Sequence, residues 1–383
     1  MAAKPIRTAV IGSGFMGRVH LEMLRRVEHV EIAAIAARNT AAAEALGSAF
    51  GVPHTSFDAV LRDSSIDAVD ICTPNAMHFA MTRDALCAGK HVLCEKPVAT
   101  TVGQAEELVA LAAKLNLRNG VCHNLRFYPM VQQMRRMRED GDLGEILVVQ
   151  GTYSQDWLLY ETDWNWRVTT RDGGLSRAMA DIGSHWFDTA EHVTGLRVHT
   201  LCADLATVHK TRRQPKQAVE TFANKMLAAD DYVDTPVDTE DVGAVIFRIG
   251  PRARGSMTAS QVSAGRKNRL SIEIYGTRAG VAWDQERPDE LWIGHRDSPN
   301  CVIVKDPSLM KPAARAYADL PGGHSEGYDD TFKQIFRRFY RSIADPAAPQ
   351  EYPQFADGLR QLVILRAELE SSRTRAWIEV PQP

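Results

Sequence analysis

Between residues 8 and 124 the chain repeats one unit, a short run apolar on both faces followed by a longer stretch with helical spacing. The runs are TAVIG (8–12), VEIAAIAAR (30–38), DAVDICTP (67–74), HVLCEKP (91–97) and RNGVCHN (118–124); helical stretches fall at 18–26, 41–50, 76–88 and 101–115. Strands apolar on both faces need cover on both, and strands separated by helices run parallel. The pattern therefore predicts a parallel sheet between two helical layers.

From residue 125 the texture changes. A helix over 130–139 and the turn-rich EDGDLGE lead into ILVVQGTYSQ (146–155). GAVIFRI (243–249), ARGSMTASQVSA (253–264), RLSIEIYGTRAGVAWD (269–284) and ELWIGHR (290–296) then follow with short glycine-containing links. This predicts an α+β domain with an open, mostly antiparallel sheet, packed on one face. The expected division is 1–124 and 125–383, with a helix over 355–373 free to pack back on the first domain. The polar stretch 209–240 is too long for a plain loop and reads as a surface excursion, a lid or a subunit contact.

VIGSGFMGRVH places Gly12, Gly14 and Gly17 in a G-x-G-x-x-G string between an expected strand and an expected helix. In that context the string predicts a Rossmann dinucleotide site, with Gly12, Ser13, Gly14, Phe15, Met16 and Gly17 against the pyrophosphate. Such sites carry an acid about 20 residues on, for the ribose 2′-hydroxyl. Here AARNT offers Ala37 and then Arg38, which removes repulsion against a 2′-phosphate and tilts the cofactor towards NADP over NAD.

In a parallel sheet the ends of DAVDICTP and HVLCEKP open onto one edge, which gathers Thr73, Pro74, Asn75, Glu95 and Lys96 there. Pro97 keeps Lys96 extended, and an amine so mounted suits a donor or proton shuttle to a hydroxyl or carbonyl. In SRAMADIGSHWFDTAEHVTG, Asp181 and His185 stand four apart and should share one helix face. YSQDWLLYETDWNWRV (153–168) sets three tryptophans among Gln155, Asp156, Asp163, Asn165 and Arg167, a composition that fits either a cyclic polyol site or a core strand with a solvated rim.

GSGFMG, CTPNAMH, CEKP, HNLRFYP and GDLGEI, in this order along essentially the whole chain, resemble the glucose-fructose oxidoreductase/inositol dehydrogenase/rhizopine catabolism family. The resemblance implies an N-terminal Rossmann domain, a C-terminal domain on an open sheet, and a Lys96–Pro97 bond that is often cis. It implies hydride transfer between NAD or NADP and a secondary hydroxyl, with His185 as general acid/base, Asp181 on a substrate hydroxyl and Lys96 assisting. His78, Asn124 and Arg167 join the expected cofactor contacts; Tyr153, Gln155, Trp157 and Trp166 join Lys96, Asp181 and His185 as expected substrate contacts. The Gln-Asp-Trp and Trp-Asn-Trp-Arg segments are similar to branches acting on pyranoses, including the anhydro-sugar levoglucosan, and on inositols. Arg126 and His324 are weaker pocket candidates, and His192 reads as a packing residue. Two other readings stand beside this one: a dinucleotide-binding regulator without turnover, and a reductase of an imine or related ring.

A net charge of −3 with mixed signs argues against a nucleic-acid partner. The start lacks a signal-peptide core, no apolar run reaches membrane length, and none of the six cysteines makes a C-x-x-C pair. The expectation is a cytoplasmic protein with buried free thiols, no metal site and no membrane contact. If MTASQV and IEIYG are apolar on their outer face, a homodimer or homotetramer should form through that sheet.

Overall fold

The computed structural model describes residues 4–216 and 231–382. The chain divides into two compact units: 1–127 with 328–360, and 128–327 with 361–382. Among the described residues no helix is long and apolar enough to cross a membrane.

The first unit alternates as the sequence predicts: β1 Ile6–Ile11, α1 Phe15–Leu24, β2 Val30–Ala36, α2 Thr40–Phe50, β3 His54–Thr55, α3 Phe57–Arg62, β4 Ala68–Ile71, α4 Asn75–Cys87, β5 His91–Cys94, α5 Val102–Leu115 and β6 Asn119–Val121. The sheet order is β3-β2-β1-β4-β5-β6 and every pairing is parallel. The central strand β4 is fully buried along its length, as a strand covered on both faces must be. Side-chain caps set several helix starts: Asn39, Ser56 and Thr101 each accept a backbone N–H of the first turn. Leaving the order reversal between β1 and β4, the chain forms the crevice where such sheets bind ligands.

The sequence reading did not foresee the short β3 and α3, nor a long helix, Tyr328–Ala344, that belongs to this unit. That helix buries Phe332, Phe336, Phe339 and Tyr340, and the Tyr340 hydroxyl reaches Thr8 at 2.8 Å and also the Asp70 carboxylate.

The second unit begins with α6 Pro129–Glu139 and β7 Ile146–Ser154, then carries α7 Thr170–Gly173, a π-helical turn Met179–Gly183, and α8 Ser184–Thr194. Strands β8 Val198–Ala206, β9 Thr211–Pro215, β10 Tyr232–Pro236, β11 Val242–Ile249, β12 Ala253–Ser260, β13 Arg269–Gly276, β14 Gly280–Asp284, β15 Glu290–Gly294, β16 Cys301–Val304 and β17 Ile378–Glu379 follow. The Tyr328–Ala344 helix is α9, and α10 is Phe355–Thr374. The described residues build a nine-stranded sheet, β16-β15-β14-β13-β7-β12-β11-β8-β17, and a separate β9–β10 ribbon.

Along β11 and β13 buried and less buried residues alternate, the mark of a sheet covered on one face. Trp186 of α8 donates its indole N–H to the Ser271 carbonyl at 3.0 Å, and it packs with Phe187 and Phe247.

The sheet is mostly antiparallel, as expected, with β7 and β12 its one parallel pair among the described strands. One expectation about its faces is corrected: MTASQV and IEIYG do not present an apolar outer face, because Met257, Ile272 and Ile274 point into the core. Exposed apolar side chains on the sheet are instead Leu147, Val148, Ile246, Val302 and Val304. All six cysteines are free thiols, with Cys87 and Cys301 exposed where burial was expected.

Candidate active site

The glycine loop shows why each glycine is there. Gly12 has φ +130°, and a Cβ on it would meet the Cys72 carbonyl oxygen at 2.6 Å. A Cβ on Gly17 would meet the Gly12 oxygen at 2.1 Å, so α1 packs against the loop only through a glycine. Gly14 is different: a Cβ there meets nothing within 4 Å, and as the N-cap of α1 it offers no side chain to the helix amides. Those amides face open space above a helix N-terminus, the cradle a pyrophosphate takes. Ser13, Phe15 and Met16 complete the turn, with Phe15 exposed. Arg38 is exposed just beyond β2, after Ala37, while Asn39 turns away to cap α2.

At the next strand ends, Pro74 caps α4 and Asn75 opens it. His78 is buried, with its two ring nitrogens 2.7 Å from the carbonyl oxygens of Thr73 and Pro97. It thus ties the loop after β4 to the loop after β5; burial lowers its pKa despite those carbonyls. The Lys96–Pro97 bond is cis. Glu95 is buried and accepts the Lys96 backbone N–H at 3.1 Å. Asn124 is buried too, its amide donating to the Thr331 hydroxyl at 2.7 Å, and Arg126 pairs with Asp357 at 2.8 Å.

His20 Nε2, a Glu95 oxygen and Cys122 Sγ lie within 4.8 Å of one another, a spacing a cation can bridge. Two of these atoms already engage each other, with His20 Nε2 3.1 Å from Glu95 Oε1. Burial also pushes the Cys122 thiol far up, away from the thiolate a metal takes.

In the second unit, Asp181 and His185 do not sit on one regular α-helix as expected. Asp181 lies in the π-helical turn and His185 in the first turn of α8. Such widened turns recur at functional sites, because they displace a side chain that a regular turn would stack. The segment is anchored from outside. Glu240 Oε1 accepts the Ser176 hydroxyl at 2.6 Å and the Arg177 and Met179 amides at 3.0 and 2.9 Å. The partly exposed Asp181 accepts the Gln261 amide at 2.9 Å, with the Arg167 guanidinium 3.8 Å from its other oxygen. Arg167 lies over the Trp166 ring at 4.3 Å and donates to Asn165 at 3.3 Å, so in this unit it faces Asp181. His185 is 8% exposed, and its ring centre is 6.5 Å from that of the buried Tyr153.

Asn268 joins the aromatic wall. Its side-chain oxygen accepts the Tyr153 hydroxyl and the Gln155 amide, both at 2.8 Å, and the Gln155 oxygen accepts the Trp157 indole N–H at 2.7 Å. Trp157 and Trp164 also pack on a small core of Leu158, Val168 and Val237, so the segment is both wall and core. Burial pushes the Tyr153 phenol far above its ordinary range, which keeps it a hydrogen-bond donor. Buried Arg212 of β9 donates to the carbonyls of Leu158, Tyr160 and Asp163 at 2.8–3.1 Å and to Asp241 at 2.7 Å. Burial raises the Asp241 carboxyl, but the Arg177 guanidinium and the other donors outweigh it, and the net shift is downward.

The described part of 209–240 is therefore a brace behind the 155–168 segment; residues 217–230 lie outside the described range. Sequence reasoning missed Gln261, Asn268, Arg212 and Glu240, which no local motif marks. His192 lies 3.0 Å from the Gln132 amide, and the exposed His324 ring lies 3.3 Å from the Gly322 carbonyl oxygen.

A parallel sheet in this order with a glycine cradle at its switch point, joined to a unit carrying an Asp-His segment on an open sheet, defines a dinucleotide-dependent oxidoreductase. The family profiles agree. Residues 6–123 match the oxidoreductase family with an NAD-binding Rossmann fold, and residues 131–282 match the GFO/IDH/MocA C-terminal domain. The chain belongs to the GFO/IDH/MocA oxidoreductase family. An uncharacterized oxidoreductase of Schizosaccharomyces pombe is 35% identical over 99% of this chain and 100% of its own. Levoglucosan dehydrogenase of Pseudarthrobacter phenanthrenivorans is 29% identical over 98% of both chains. A solved structure of levoglucosan dehydrogenase, complexed with NADH and levoglucosan, superposes with a TM-score of 0.87 at 28% identity, covering 99% of this chain and 100% of that one.

Proposed function

We propose that this protein is an NAD(P)-dependent dehydrogenase that interconverts a secondary hydroxyl and a ketone on a cyclic sugar or polyol: a pyranose, an anhydro-sugar or an inositol. The observation that carries the reading is Asp181, a partly exposed carboxylate aimed by Gln261 and Arg167 beside His185. The wall of Tyr153, Asn268, Gln155 and Trp157 supplies ring faces and hydrogen-bonding groups of the kind hydroxylated rings need. Levoglucosan dehydrogenase and the inositol 2-dehydrogenase of Rhizobium meliloti among its relatives support the substrate class.

Residues 1–124 hold the dinucleotide in this reading, and 125–383 bind substrate and form the subunit contact. Gly12 to Gly17 receive the pyrophosphate, and Thr73, Pro74, Asn75, His78, Glu95, Lys96, Asn124 and Arg167 serve the rest of the cofactor. A bound nicotinamide supplies the hydride acceptor. Asp181 takes a hydrogen bond from a substrate hydroxyl and fixes which carbon is presented. His185 accepts the hydroxyl proton during oxidation and returns it during reduction, and Lys96 assists by holding the oxygen. Trp166 and Trp157 shape the ring site. Ala37 and Arg38 favour NADP over NAD, although the related levoglucosan dehydrogenase structure carries NADH.

The test is nicotinamide absorbance with NAD and NADP run side by side against pyranoses, anhydro-sugars and inositols. Turnover lost in Lys96→Ala and His185→Ala is the expected result. Tight dinucleotide binding with no turnover across the panel overturns the reading.

A further inference from the structure

His20 projects from α1 into the first unit and is completely buried. One ring nitrogen is 3.1 Å from Glu95 Oε1, and the other is 3.5 Å from Asp70 Oδ1. Cys122 Sγ lies 3.9 Å from Nε2, and the Phe332 and Phe336 rings of α9 stand 5.5 and 4.8 Å away. Cys72, after β4, is another titratable neighbour, and burial raises its thiol to about 11.

Asp70 Oδ2 accepts the hydroxyls of Thr8, at 2.9 Å, and Tyr340. Glu95 Oε2 accepts the Lys96 N–H, which leaves Oε1 to the His20 ring. The contact of Asp70 Oδ1 with the other ring nitrogen, at 3.5 Å, is electrostatic rather than a hydrogen bond. A protonated His20 directs an N–H at Glu95 and places a positive charge between the two acids. The shifts agree. Burial opposes charge on His20, but the Cys72 and Asp70 interactions carry its pKa well up, and although burial also opposes Glu95, His20 brings its carboxyl net down.

We propose that His20 is a positioning residue for Lys96, acting through Glu95: it holds the Glu95 carboxylate charged and oriented, and Glu95 in turn fixes the Lys96 backbone and keeps an anion beside its ammonium. The inference rests on the reading of Lys96 as the amine at the reacting centre, but its test does not need turnover.

The whole protein, wild type and His20→Gln, is treated with limiting acetic anhydride at pH 8, and acetylation of Lys96 relative to the exposed Lys114 is read by peptide mass spectrometry. Without the His20 N–H and its charge, Glu95 is held less firmly as an anion beside Lys96, and Lys96 becomes more nucleophilic. The expected rise in the Lys96 to Lys114 ratio is about threefold, as for removal of one neighbouring charge. Glu95→Gln, which keeps the His20–Asp70 pair, should give the same rise, and the double variant should add nothing further. A folded His20→Gln protein, or a folded Glu95→Gln protein, with an unchanged ratio overturns the proposal. A merely structural histidine would lower thermal stability and leave the ratio where it was. If no sugar is oxidised the functional reading fails, and the labelling result stands on its own. If turnover is found, the acid limb of the kcat profile should move in His20→Gln as well.

Discussion

Gln261, fully buried at the end of β12, donates its side-chain amide to Asp181 across 80 residues of sequence. The contact aims a carboxylate from a π-helical turn, where the helix alone would leave it to several rotamers.

Removing that donor should therefore weaken catalysis more than folding. In Gln261→Leu, kcat/KM with the best sugar substrate is expected to fall about 10- to 100-fold, the loss of one hydrogen bond to a charged group. Steady-state kinetics and a melting curve check it; an unchanged kcat/KM would remove Asp181 orientation from the mechanism.

The three glycines of the loop should separate folding from binding. Gly14→Ala has open space for its Cβ and ordinary φ, so its melting temperature should match wild type. Dinucleotide affinity, read by fluorescence titration, should drop at least about tenfold if a ligand occupies that space. Gly17→Ala instead strikes the Gly12 carbonyl and should lose ~1–3 kcal/mol of stability by denaturant titration.

If the exposed guanidinium serves a 2′-phosphate, Arg38→Ala should lower kcat/KM for NADP while leaving that for NAD within about twofold. Equal loss with both cofactors would assign Arg38 a role unrelated to the phosphate.

Glu368 of α10 predicts a stability change with pH. It is buried, and desolvation together with the facing Glu240 raises its carboxyl from 4.5 to about 8. Between these values the folded chain binds the proton and the unfolded chain does not. Stability from this group is therefore full below about 4.5 and declines as pH rises to about 8. Glu368→Gln should melt a few degrees higher than wild type at pH 8, with the gain shrinking towards pH 5. A gain that is equal at both pH values would show that Glu368 does not titrate in this window.

The supporting residues explain how far sequence reading reached. Gly12, Gly14, Gly17, Glu95, Lys96, Asp181 and His185 stand in short motifs whose chemistry is local, so a sequence reading can name each as a candidate. Gln261, Asn268, Glu240 and Arg212 are ordinary polar residues in or beside strands, and their signal is only the partner they meet. Met257, Ile272 and Ile274 were read as facing outward because alternation gives a strand two faces without saying which is covered.

The sequence by itself determined the alternating parallel sheet, its glycine cradle and the family, because period and turn chemistry act over a few residues at a time. Tertiary structure decided the parallel β7–β12 pair, the return of α9 to the first unit, the ring of braces behind the 155–168 segment and the buried contact of His20 with Glu95. Each of those depends on which distant groups share a desolvated space, and burial energy is a property of the packed chain that no window of sequence contains.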